Sequence, residues 1–193
     1  GSKTPDNHIA LTISISGLKG GHSGVEIHLY RGNANKMLIG ILNDCLSQFD
    51  FNLANIQGGN LSNVIPREAN CLITVDKNQQ ALLTERINKT IIELQSEFSL
   101  TDPGLNIEIK VSEPPEIIIE SPVMNRFIKS VHACPSGLMS MYPLMPTVVA
   151  TSTNLSIIKT DRKIINVVTS QRSAIEPAIK QISSMINNIF DFV

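Results

Sequence analysis

Residues 8–16 read His8-Ile9-Ala10-Leu11-Thr12-Ile13-Ser14-Ile15-Ser16, and this stretch sets the fold. Ile9, Leu11, Ile13 and Ile15 fall on one side at a period of two, the pattern of a half-buried strand. A glycine-rich turn follows at once, Gly20-Gly21-His22-Ser23-Gly24-Val25-Glu26. Beyond it Met37, Leu38, Ile41, Leu42, Cys45 and Leu46 recur at helical spacing, with Asn33 or Asn35 as cap. Phe51 to Gln57 reads as a second strand, broken at Gly58-Gly59, and Val64 to Val75 as a third. Leu83, Ile87, Ile91, Leu94 and Phe98 form a second helical stripe. After a turn at Asp102-Pro103-Gly104, Leu105, Ile107, Ile109 and Val111 alternate as a fourth strand. Residues 1–112 therefore predict a ferredoxin-like βαββαβ unit.

Glu113-Pro114-Pro115 marks a boundary, and residues 113–193 make a second half. It opens with a helix capped by Ser121, with Pro122 in its first turn and Met124, Phe127, Ile128 and Val131 inward. Pro135 to Pro146 reads as a loop. Thr147–Ile158 and Lys163–Ser170 read as a strand pair joined by a turn at Thr160-Asp161-Arg162. Ser173 and Glu176 make a capping-box pattern before a helix with Ile175, Ile179, Ile182, Ile186 and Ile189 inward. The strings GGNLSN and TSTNLS suggest that this ββα half is related to the first. The expected fold class is α+β: a two-layer sandwich, its antiparallel sheet of about 6–8 strands covered by helices on one face. No strand closes the second half before Val193, which leaves a sheet position unpaired and suggests a chain cut from a longer one.

Composition excludes several classes of function. With 193 residues and 42% hydrophobic content, the chain can bury a sizeable core. A formal charge of −1 and 4% aromatics provide neither a basic face nor a stacking platform for nucleic acid. No apolar run approaches the ~18 residues of a membrane span. Cys45, Cys71 and Cys134 are odd in number and widely spaced, which fits small buried hydrophobes and a cytoplasmic setting.

Three residues stand out. His22 is framed by Gly17, Gly20, Gly21 and Gly24, which let the backbone take positive φ and leave the imidazole uncrowded; the plain alternative is an ordinary turn histidine. Asn63 carries an amide able to donate to an oxyanion or carboxylate, or simply to hold a turn. Arg172 ends a strand before a helix, where its fork fits a carboxylate or sits solvated. His28 lies near His22, but neither HxD nor HExxH spacing occurs, so no metal site is expected within this chain. No carboxylate pair, nucleophile elbow or phosphate loop is present, and the chain alone is not expected to catalyse a reaction.

The strings SGLKGGHSGVEIHLYRGNANKML (16–38) and QGGNLSNVIPREA (57–69), with SPVMNRFIKSVHACPSGL (121–138), TSTNLSII (151–158) and QRS (171–173), resemble the aminoacyl-histidine dipeptidases. These are dinuclear-zinc metallopeptidases related to carboxypeptidase G, carnosinase and acylases. The likeness covers nearly the whole chain and is to the family's lid, or dimerisation, domain alone. It implies that 1–193 is one lid domain, with two zinc ions in a catalytic domain lying outside this sequence. It implies a cytosolic enzyme acting on Xaa-His dipeptides. His22 would donate a hydrogen bond to the scissile carbonyl oxygen, Asn63 would hold the substrate's C-terminal side, and Arg172 would bind its terminal carboxylate. The implied partners are the dipeptide, the chain's own catalytic domain and a second subunit in a homodimer. The contrasting expectation is a pure dimerisation module with no part in the active site.

Overall fold

The alternating and helical stripes fold as β1 (Ser2–Lys3), β2 (His8–Ser16), β3 (Gly21–His22), a 3₁₀ turn (Ile27–Leu29), α1 (Ala34–Leu46), β4 (Phe51–Gly58), β5 (Val64–Ile65), β6 (Ala69–Asp76), α2 (Gln80–Glu97) and β7 (Asn106–Ser112). The second half adds β8 (Ile117–Ile118), α3 (Ser121–Ala133), β9 (Gly137–Tyr142), β10 (Met145–Asp161), β11 (Ile164–Ser173) and α4 (Glu176–Phe190). This is a computed structural model that describes residues 1–161 and 164–191. Arg162 and Lys163, where the reading put the end of a turn and the start of a strand, lie outside the described residues.

Seven strands form one antiparallel sheet in the order β11-β10-β4-β6-β2-β7, with β9 also paired to β10. Within it, β4-β6-β2-β7 has the strand order of a ferredoxin-like βαββαβ unit. The alternation in β2 explains the layering. Leu11, Ile13 and Ile15 face Ile73, Cys71 and Ala69 across one ladder and Val111, Ile109 and Ile107 across the other. All but Val111, which is 70% exposed on the edge strand, pack into the core beneath the helices, which line up as α2-α1-α3-α4. Met124, Phe127, Ile128 and Val131 of α3, with Leu155 and Ile158 of β10, join the same core as α1 and α2. The two halves therefore share one hydrophobic interior. Lys36 of α1 reinforces the union: its Nζ donates to the carbonyls of His132 (2.6 Å) and Cys134 (2.8 Å) at the end of α3. Burial lowers the pKa of that ammonium.

Several local expectations are corrected. Residues 137–142 form β9 and β10 starts at Met145, so most of the stretch read as a loop is a hairpin. Its prolines are tolerated because this arm runs beyond the neighbouring strands. The expected third strand is two: Pro66-Arg67-Glu68 separates β5 from β6, and β5 leaves the main sheet to pair with β3. Asn33 caps α1, accepting from Lys36 N, while Asn35 is buried. Ser121 is the first residue of α3, after the cap Glu120, and its hydroxyl donates to Asn52. The capping box before α4 does not form. Ile175 is the cap position, 42% exposed, and the Ser173 hydroxyl accepts from Ile175 N instead. The shared strings also occupy unlike settings, with Asn60-Leu61-Ser62 in an exposed turn and Asn154-Leu155-Ser156 buried within β10.

The three cysteines are all buried and free. Burial pushes the thiols of Cys45 and Cys71 each up to about 12. A thiol reagent at mildly alkaline pH is therefore expected to label them only on unfolding, at the rate of the denaturant-induced transition. Because the folded values are raised, stability is full below the free-thiol value of ~8.5 and declines as pH rises from there. Rapid stoichiometric labelling of the native chain would contradict this packing.

Candidate functional site

The candidate site begins at the exit of β2. Gly17, Gly20 and Gly21 take φ of +78°, +64° and +145°. These are left-handed or open conformations that a side chain would strain. Gly24 differs from expectation, because its φ is not positive. A Cβ there would lie 2.9 Å from Arg172 Cδ and 3.1 Å from His22 Cε1, so it is glycine for space. The turn brings His22 onto Val64 through the β3–β5 ladder.

The imidazole is fixed by its own turn. His22 Nδ1 accepts from the backbone N–H groups of Gly24 and Val25, both at 3.1 Å. In the neutral ring this assigns the proton to Nε2, which becomes a donor. The backbone is clamped as well. Glu26 accepts from His22 N at 2.8 Å and pairs with Arg31 at 3.0 Å. Arg31 also donates to Gly20 O at 2.6 Å, so one ion pair grips the chain on both sides of His22. Below the turn, buried Asp102 accepts from Lys19 N and Gly32 N, both at 2.8 Å, and fastens its two ends.

The other two sequence candidates meet His22 here. Ser23 N donates to Asn63 O at 3.0 Å, which places the exposed Asn63 directly beside the histidine turn. Arg172 lies on β11 opposite Ser152 of β10, and the Ser152 hydroxyl donates to Ser23 O at 3.0 Å. Arg172 and His22 thus flank Gly24, one from each half of the chain. A buried amide supports the assembly: Asn154 donates to Val64 O at 2.8 Å and accepts from Asn33 at 3.1 Å. Sequence reading missed Glu26, Arg31, Asp102 and Asn154 as positioning residues. Glu26 follows His22 by four positions and Arg31 follows Glu26 by five, which was the available signal. Asp102 and Asn154 gave none, because they act across the fold. Among the described residues no group of three or more His, Cys, Asp or Glu is placed to hold a metal ion.

Comparison with known proteins adds independent findings. The family model described as Peptidase dimerisation domain matches residues 13–99. The Cytosol non-specific dipeptidase of Escherichia coli (strain K12) is 29% identical over 177 residues, covering 92% of this chain and 36% of that protein. The crystal structure of Aminoacylhistidine Dipeptidase from Vibrio alginolyticus superposes with a TM-score of 0.94 at 31% identity, covering 97% of this chain and 38% of that one. The chain spans a little over a third of the length of these relatives.

The hydrogen bond from His22 N, with the Arg31 charge, holds the Glu26 carboxyl below its ordinary value of 4.5. The clamp is therefore complete above that value and released as pH falls through the lower folded value. Amide resonances of residues 20–26 are expected to shift together in that acidic window in the native chain. In Glu26→Gln the step disappears. A step that persists in the variant would assign it to another group.

Proposed function

The chain carries a peptidase dimerisation domain, and on that footing we propose that it is the lid of a zinc dipeptidase that hydrolyses Xaa-His dipeptides. The parent is then a longer, cytosolic protein whose catalytic domain faces His22. The observation that carries this reading is the tautomer imposed on His22. With Nδ1 committed to two backbone N–H groups, Nε2–H is the free end of the ring. A fixed donor of this kind stabilises negative charge developing on a carbonyl oxygen and requires no reorganisation during the reaction.

The neighbouring residues supply the rest of a substrate grip. Arg172 offers a guanidinium fork to the dipeptide's terminal carboxylate. Asn63 offers an uncharged amide to the substrate's C-terminal side. Two zinc ions in the parent's catalytic domain would contribute Lewis-acid polarisation and an activated water. The lid's part is to bring its donors to the far side of the carbonyl and exclude bulk water on closing. His22 comes from the first half and Arg172 from the second, yet both flank Gly24 in one chain. That favours a lid serving its own subunit, with any homodimer formed by surfaces elsewhere.

In the parent enzyme, His22→Ala is expected to lower kcat by roughly 10²–10³, the usual cost of one oxyanion donor. Arg172→Ala is expected to raise KM for a dipeptide far more than it lowers kcat, since it removes ground-state binding as well. An unchanged kcat in His22→Ala would reduce the chain to a dimerisation module. A mixed dimer of His22→Ala with a metal-ligand variant tests the within-subunit arrangement, and activity recovered well above both parents would contradict it.

A further inference from the structure

The β9–β10 hairpin is not used by the site just described, and its surface is unusual. Residues 137–150 read Gly-Leu-Met-Ser-Met-Tyr-Pro-Leu-Met-Pro-Thr-Val-Val-Ala, without a single charged side chain. Three of the chain's six methionines, Met139, Met141 and Met145, lie here. β11 accompanies β10 only as far as Thr151, paired with Ser173. Outward of that point β10 pairs with β9 alone, through Val149 with Met141 and Met145 with Tyr142. The result is a two-stranded arm standing off the sheet. Leu144 is 88% exposed, Met145 51%, Met139 44% and Val148 43%.

A two-stranded ribbon gains little from itself, and a contiguous apolar surface of this sort marks an interaction site. Methionine suits such a surface, because its unbranched thioether adapts to the shape of a partner. The arm's position identifies the partner. It leaves the sheet at Ala150, two residues from Ser152, whose hydroxyl holds the histidine turn and whose register partner is Arg172. It therefore departs from the same end of the domain that presents His22, Asn63 and Arg172. Relatives of this chain contain well over half their length beyond the part matched here.

We propose that the hairpin 137–150 is a docking arm that packs against an apolar surface of the parent's own catalytic domain and holds the lid in register over the cleft. This rests on the lid reading above. The arm gives closure an anchor away from the polar site, so that His22 and Arg172 need not carry both docking and chemistry.

Hydrogen exchange of the amides of residues 138–149 tests the proposal directly. In the chain by itself these amides are expected to exchange quickly. In the parent protein they are expected to slow by at least about tenfold, independently of protein concentration. The double variant Leu144→Ser, Met145→Ser should restore fast exchange in the parent and lower kcat/KM about tenfold to a hundredfold through misplaced groups. The melting temperature of the variant chain by itself should stay unchanged, since Leu144 and Met145 are exposed and lie outside the core. Protection that vanishes on dilution would assign the arm to a second copy and overturn the proposal. Equal exchange in chain and parent would overturn it too. The two readings separate cleanly: an unprotected arm with an inactive His22→Ala enzyme sinks only the arm. A protected arm with a fully active His22→Ala enzyme sinks the catalytic role and leaves the docking.

Discussion

The polar junction between β10 and the first half is the constraint on which the rest depends. β10 and β4 are in register over only two residue pairs, Ile158 with Gly58 and Lys159 with Gln57. Side chains complete the join. Asn33 and Asn35 both donate to Leu155 O, Asn154 donates to Val64 O, and Ser152 donates to Ser23 O. Thr160 accepts from Ile56 N and donates to Ile56 O. Thr151 to Ser156 are all buried. Each such bond contributes only about 1 kcal/mol net, but an orphaned partner in this setting costs ~1–3 kcal/mol. The network thus fixes one relative placement of the halves more than it adds raw stability.

That placement is what makes a site. Two of the bonds end on the loops that matter: Val64 follows Asn63, and Ser23 follows His22. The same strand that carries Asn154 and Ser152 also sets the register of β11, hence the position of Arg172. A side chain from each half arrives at Gly24, where the absence of a Cβ leaves room for both. The Glu26–Arg31 clamp and Asp102 then restrict the turn locally. Rigid support beneath a small exposed polar cluster is what the proposed lid role requires.

Much of this was legible in the sequence. The period-two run of β2 and the stripes of α1 and α2 need only local pattern, and they gave the ferredoxin-like unit directly. His22 was legible because glycines crowded around it. Other features depend on distant partners and leave little local trace. Proline and methionine at 135–146 read as a loop, since nothing local shows that β10 continues outward and pairs with β9. Asn154 was read inside a strand, but its amide bonds to Val64 and Asn33 join distant parts of the chain and leave no local trace. Ser173 and Glu176 match a capping box, but the Ser173 hydroxyl is taken by Thr151 and by Ile175. Gly24 pointed to the right place for the wrong reason, being required by crowding and not by φ.

The hydrogen bonds from Gly24 N and Val25 N to Nδ1 leave His22 a fixed Nε2–H donor. Nitrogen-15 chemical shifts of the His22 imidazole, recorded at a pH where the ring is neutral, measure this directly. The dominant tautomer is expected to carry a protonated Nε2 and an unprotonated, hydrogen-bonded Nδ1. A ring protonated mainly on Nδ1 would mean that the backbone of Gly24 and Val25 does not hold it, and the donor role would fail.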